Sequence, residues 1–121
     1  MINLHYSLLP SFGGLIGIKP IEEAYKKGCN YTGGTCHYVD KGVDTGKIIA
    51  QTIVKTDITI KEATQKVFCQ TCLILLNSLL LISEEKGIIE FKSNSKFHYS
   101  PSLKFDDEVF TSDFWKRLSE L

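Results

Sequence analysis

Apolar and polar positions along this chain change period several times, and each change marks an element. Between Pro20 and Gly28 the apolar residues Ile21, Ala24 and Tyr25 share one face of a helix of about two turns. Its punctuation agrees: Pro20 suits the first helical position, and Glu22 and Glu23 lie near the positive end of the helix dipole. Lys26 and Lys27 lie near the negative end, and Gly28 suits the left-handed cap. Ahead of it, Pro10 to Gly17 is loop chemistry. Thr35 to Val39 and Lys47 to Val54 are rich in β-branched and aromatic residues and read as two strands, joined by the Asp- and Gly-dense loop Asp40 to Gly46.

Thr59 followed three residues later by Glu62 forms a capping box and opens a long helix through the leucine-rich segment, ending near Gly87. Apolar positions nearly encircle it towards its C-terminal end. Ile88 to Phe91 reads as a last strand. The remainder is irregular, aromatic and charged, with a short helix from Ser112 to Leu121. The order of loop, helix, strands, long helix and strand predicts an α/β layer structure, divided into a unit of residues 1–91 and a tail of residues 92–121. The layer structure is incomplete: a strand leading into Asn3-Leu4-His5 has almost no residues before it. The expectation is a fragment, or a sheet completed by another chain.

Length, charge and cysteines narrow this picture. A chain of 121 residues makes one domain at most. With 14 basic against 14 acidic residues, no charge excess calls for a nucleic-acid or membrane-surface partner, which leaves small molecules or another chain. The longest apolar run, Leu73 to Ile82, contains Asn77 and Ser78 and falls short of the roughly 20 residues of a membrane span, so it reads as a buried helix. The first residues have no signal-peptide pattern, and a cytoplasmic location with reduced thiols is expected for Cys29, Cys36, Cys69 and Cys72.

Three polar residues have the makings of chemistry together. Asn3 and His5 are two apart and so lie on one side of an extended segment, and Asp44 sits in the Asp40 to Gly46 loop. An amide donor, an imidazole and a carboxylate are the parts needed for acyl transfer to an amine: a donor for the developing oxyanion, an acid, and a group to orient the imidazole and take the amine proton. From spacing alone, an Asn-x-His and a loop Asp are more often turn and surface residues.

The residues around them add a resemblance. Asn3-Leu4-His5-Tyr6-Ser7-Leu8-Leu9-Pro10 followed by Gly14 resembles the N-x-H-x-S-L-L-P…G motif of formyltransferases that use 10-formyltetrahydrofolate. Thr32 to Gly46, with Ile48-Ile49-Ala50-Gln51, is similar to the same family's second signature around its catalytic aspartate. The likeness is clear over residues 2–55, extends to about residue 86, and leaves the tail to be read on its own terms.

The resemblance implies a partial Rossmann-like formyltransferase domain lacking the N-terminal nucleotide-binding half, with its glycine-rich phosphate loop. It implies transfer of a formyl group from 10-formyltetrahydrofolate to an amine, with no metal, phosphoribosylglycinamide of purine biosynthesis being the favoured acceptor. Formyltetrahydrofolate hydrolysis, sugar or methionyl-tRNA formylation, and a non-catalytic remnant or partner subunit are the alternatives. By carry-over, Asn3 would bond the formyl oxygen, His5 would stabilise the tetrahedral intermediate, and Asp44 would hold His5 and manage the amine proton. Asp40, Lys41, Gly42 and Val43 would lie against the folate. Tyr6 departs from the Pro common in the glycinamide ribonucleotide type, and Lys41 from the acidic residue usual in the family's loop. A homodimer or a separate N-terminal half is the protein partner implied.

Other signals carry less. Cys69-Gln70-Thr71-Cys72 stands without a second pair and reads as two small residues on a helix face. Cys36 and His37 point to opposite faces of their strand, and His37 reads as a hydrogen-bonded strand residue without a catalytic role. The tail aromatics Phe97, Tyr99, Phe105, Phe110, Phe114 and Trp115 read as packing against the fold, and the interleaved Asp106, Asp107 and Glu108 argue against a nucleic-acid platform.

Overall fold

The structure, a computed structural model, describes residues 1–85 and 98–121. Four strands, β1 (Ile2–His5), β2 (Tyr31–Tyr38), β3 (Ile48–Lys55) and β4 (Tyr99–Ser100), form one sheet in the order β1-β2-β3-β4, antiparallel throughout. Among the described residues, three α-helices accompany it: α1 (Lys19–Lys26), α2 (Ile60–Glu85) and α3 (Ser112–Ser119). The α/β layer expected from the sequence is present. The expected strand at Ile88 to Phe91 lies outside the described residues.

Strand boundaries differ from expectation for identifiable reasons. Ile2–His5 needs no residues before it to be a strand, because it pairs along its length with β2, Ile2 opposite Tyr38 and His5 opposite Thr35. The start of the site is therefore held in a sheet. β2 begins at Tyr31, four residues before the alternating pattern suggests, and runs through Gly33 and Gly34. Gly34 is needed there for close approach: a Cβ would land on the Thr71 side chain of α2. The register shifts between Cys36 and His37, a bulge that leaves His37 opposite Ile48 while Cys36 stays opposite Ala50.

The two helices before the tail form as their sequence predicts. Pro20 stands in the first turn of α1, and Gly28 follows it with φ +71°, the left-handed cap. The Thr59 hydroxyl accepts the Glu62 amide at 3.2 Å and opens α2. By length and composition Ile60–Ser83 would suffice to cross a membrane. Here it is the core helix of the domain: Ala63, Val67, Thr71, Ile74, Asn77 and Ser78 are buried on one side of it. Thr71 and Ser78 return their hydroxyls to the carbonyls of Val67 and Ile74, at 2.6 and 2.7 Å, so their burial leaves no donor unsatisfied. Leu76 and Leu79 stay exposed on the opposite side.

Two apolar clusters join the layers. Cys36, Ala50, Leu73, Ile74, Tyr99 and Leu103 form one; Ile21, Val54, Ala63 and Val67 form the other, beneath α1. The tail packs onto the first, as its aromatics suggest, with Phe105, Phe110 and Trp115 against the cluster. Buried Asn77 fixes it further: its amide donates to the Ser102 carbonyl at 3.3 Å and accepts the Lys104 amide at 2.8 Å. Most of the tail's order thus comes from long-range contact, which its sequence does not display.

Candidate active site

Opposite residues in an antiparallel pair share a face. Asn3 opposite His37, His5 opposite Thr35, and Thr35 opposite Gln51 therefore place five polar side chains on the front of the sheet, away from α2. The segment after β1 folds back across this face and is stitched to it. The Thr35 hydroxyl donates to the Ser7 carbonyl at 2.7 Å and accepts the Leu9 amide at 3.2 Å. The Gln51 amide donates to the Leu9 carbonyl and to the Thr35 oxygen, both at 3.1 Å. The Ser and Leu residues of the N-x-H-x-S-L-L-P segment are thereby explained as an anchor: Ser7 and Leu9 are buried, and the Ser7 hydroxyl closes on the Ser11 carbonyl at 2.5 Å.

Beyond the anchor the chain turns through Phe12, at φ +57°, and directs its carbonyl to His5 Nε2 at 3.0 Å. Gly14, at φ +85°, gives its amide to Asp44 Oδ2 at 2.8 Å. Asp44 arrives from the other side, in the loop between β2 and β3. That loop closes tightly, because Gly46 passes so near Tyr38 that a Cβ would meet its carbonyl oxygen. Asp44 itself takes φ +55°, a conformation Asp tolerates better than most residues. Its Oδ2 lies 3.3 Å from His5 Nδ1 and its Oδ1 3.5 Å from His37 Nε2. All three side chains are nearly buried, at 7, 9 and 3% exposure for His5, Asp44 and His37.

A carbonyl oxygen only accepts, so His5 Nε2 carries a hydrogen, and a hydrogen bond from Nδ1 to the Asp44 carboxylate requires a second ring proton. The contact sets the imidazole edge of His5 against the Asp44 carboxylate. Asn3 is exposed, on the same face and two residues from His5. Leu4, His5, Tyr6 and Gly17 line a cavity of about 260 Å³ beside it. The Tyr6 phenol turns to the α2 side, and burial, then the neighbouring Cys72, pushes its pKa up. The tyrosine therefore points its hydroxyl towards the helix.

The four residues expected to face folate divide in two. Asp40 is occupied by its own loop: Oδ1 accepts the Gly42 amide at 2.9 Å and the Thr45 hydroxyl at 2.7 Å. Those bonds, the Thr45 hydroxyl first, hold its carboxyl below the usual range. Lys41 and Val43 are exposed, Val43 at 73%, and present an open rim. Among the described residues, no group of three or more His, Cys, Asp or Glu side chains is placed to hold a metal ion. Cys69 and Cys72 are free thiols of α2, and burial raises both.

Sequence reasoning passed over three members of this face. His37 was read as an ordinary strand residue, and Thr35 and Gln51 had no role. The available signal was alternation: Thr35 and His37 have the same two-residue spacing as Asn3 and His5, on the strand that pairs with them.

The fold and the loop over this face lead to one family, the formyl transferases. The sequence pattern of that family matches residues 1–73, and the chain belongs to it. The structural neighbours are formyltransferase domains, Rossmann-like as the resemblance implies. A formyltetrahydrofolate deformylase of Haemophilus influenzae is 42% identical over 49% of this chain, which spans 20% of that protein. A methionyl-tRNA formyltransferase of Clostridioides difficile is 34% identical over 99% of the chain and 38% of its own length. Its likeness reaches through the tail, further than the motifs carry the resemblance. The crystal structure of phosphoribosylglycinamide formyltransferase from Anaplasma phagocytophilum superposes with a TM-score of 0.62 at 34% identity, over 70% of this chain and 41% of that one. The chain thus spans a fifth to two fifths of the length of these relatives.

Proposed function

We propose that this chain carries the catalytic, folate-facing part of an enzyme that transfers the formyl group of 10-formyltetrahydrofolate to an amine, with phosphoribosylglycinamide as acceptor. The observation that supports it is the Asp44 carboxylate, held by the Gly14 amide and set against His5 in a nearly buried position. In the reaction the amine nitrogen attacks the formyl carbon, the carbonyl oxygen takes up negative charge, and the bond to the folate nitrogen then breaks as that nitrogen takes up a proton and leaves as tetrahydrofolate. Asn3 and His5 donate to that oxygen, and Asp44 takes the proton lost by the amine, directly or through water. His5 Nε2 already donates to one oxygen, that of Phe12, so binding exchanges a loop carbonyl for the formyl oxygen. The exposed rim of Lys41, Gly42 and Val43 provides the wall for the pterin, with Asp40 holding the rim's shape.

A second reading has its own support. The same three side chains serve a water molecule as well as an amine, and the 42% identity to a formyltetrahydrofolate deformylase favours hydrolysis of the same donor. Purine biosynthesis in the cytoplasm is the setting of the first reading. Among the described residues β1 pairs on one side only, so its free edge is where a separate N-terminal half or a second copy would continue the sheet.

Incubation of the purified chain with 10-formyltetrahydrofolate, with and without phosphoribosylglycinamide, tests the proposal. Formylated acceptor in excess of released formate is the expected result. Acceptor-independent formate release would replace transfer with hydrolysis. Neither product from a folded chain, with a candidate N-terminal half added, would overturn both.

A further inference from the structure

Asp44 has a second imidazole beside it. His37 is buried, at 2% exposure, and its Nδ1 lies 2.9 Å from the carbonyl oxygen of Tyr38. That oxygen only accepts, so Nδ1 carries the hydrogen. In the neutral ring Nε2 is then a bare lone pair, facing Asp44 Oδ1 at 3.5 Å. It is the one buried side-chain nitrogen or oxygen without a hydrogen-bond partner among the described residues. Two acceptors facing each other in a buried site repel, and a proton on Nε2 turns the same contact into a charge-assisted bond.

The two oxygens of Asp44 are served unequally. Oδ2 has the Gly14 amide at 2.8 Å and His5 Nδ1 at 3.3 Å. Oδ1 has His37 Nε2. Rotation about the Cβ–Cγ bond moves both oxygens together, so a bond at Oδ1 resists the same rotation that would carry Oδ2 away from His5. The carboxylates facing His37 are Asp44 from the loop and Asp40 from the same loop, whose carboxyl His37 in turn helps to hold low. His5, across Asp44 on β1, opposes it when charged, and the uncharged Asn3 lies opposite on the same strand.

We infer that His37 is a positioning residue for Asp44: protonated at Nε2, it holds Oδ1 and so fixes the plane in which Oδ2 meets His5. The inference rests on the reading of Asp44 as the group that takes the amine proton. The proton on His37 comes from solvent and stays on the ring.

Nitrogen NMR of the histidine rings in the full chain tests the contact without reference to activity. His37 is expected to show Nδ1–H as the fixed proton, and the fraction of doubly protonated His37 at a given pH is expected to fall at least threefold in Asp44→Asn. In His37→Gln the doubly protonated fraction of His5 is expected to rise, because the competing cation is gone. A His37 signal that ignores Asp44→Asn, or a fixed proton on Nε2, overturns the inference. The kinetic arm compares His37→Leu with His37→Gln, whose amide donates without charge. Leu is expected to lower kcat about tenfold with KM for the folate nearly unchanged and to displace the acidic limb of the rate profile; Gln is expected to restore most of kcat. Equal losses in both, carried by KM, would mark His37 as merely structural. A chain without formyl transfer would sink the functional reading, while the ring spectra would still decide the His37 contact.

Discussion

The two faces of one sheet divide the labour of this molecule. Behind it, Leu4, Cys36, Ala50 and Val54 meet α2 through apolar contact that depends on volume and little on direction. In front, Asn3, His5, Thr35, His37 and Gln51 occupy the alternate positions of the same strands, and nearly every described contact there is directional. One residue along a strand separates a group that holds the fold from a group that does chemistry. Neighbours in sequence, such as Cys36 and His37, should therefore fail in different ways when substituted.

The sharpest break in that comparison is Asp44→Asn. It keeps the shape and removes the charge, so formyl transfer is expected to fall by about 10³-fold, some 4 kcal/mol of barrier, with the thermal midpoint nearly unchanged. Steady-state kinetics beside a melting curve reads both. Ile74→Ala is the converse. It empties space in the core under the sheet, where the side chain is fully buried, and is expected to cost about 2–5 kcal/mol in denaturant unfolding while the folded fraction binds a folate analogue as before.

Thr35→Val lies on the front but acts through structure. It removes the hydroxyl shared by Ser7, Leu9 and Gln51, and is expected to cost about 1–3 kcal/mol and to weaken folate binding by loosening the loop that carries the Phe12 carbonyl. If it lowered stability alone, the anchor and the site would be separable.

The smallest effect concerns Asp40. Its carboxyl is held below the ordinary value of 3.8, first by the Thr45 hydroxyl. A depressed folded value contributes stability that is present above the unfolded value and is lost as pH falls through the folded one. Order in the loop should therefore fade only at pH below about 3.8, and Asp40→Asn should remove that dependence, as read from the Gly42 amide signal.

Much of this was legible in the sequence where the causes are local. The cap of α2 at Thr59, Gly28 after α1, and the β-branched and aromatic runs of β2 and β3 were all visible; of the three polar residues singled out, His5 and Asp44 lie in contact and Asn3 is on the same face as His5. What stayed hidden has distant causes. Ile2–His5 is a strand because residues 35–38 pair with it. Gly33 and Gly34 lie inside β2, where a Cβ would meet Thr52 and Thr71. β4 exists through its pairing with Gln51 and Thr52, and the tail through Asn77. His37 gains its meaning only when the following loop brings Asp44 back over the strand, a closure that spacing alone does not reveal.

Calorimetric titration of the full chain with a non-transferable analogue of 10-formyltetrahydrofolate, alongside Asp44→Ala, tests the central claim that the front of this sheet is a folate formyl-transfer face. The account predicts saturable binding to the chain, weakened about tenfold or more by the substitution, a difference near 1.4 kcal/mol. No binding by a chain whose melting curve shows it folded, or binding indifferent to Asp44, would contradict it.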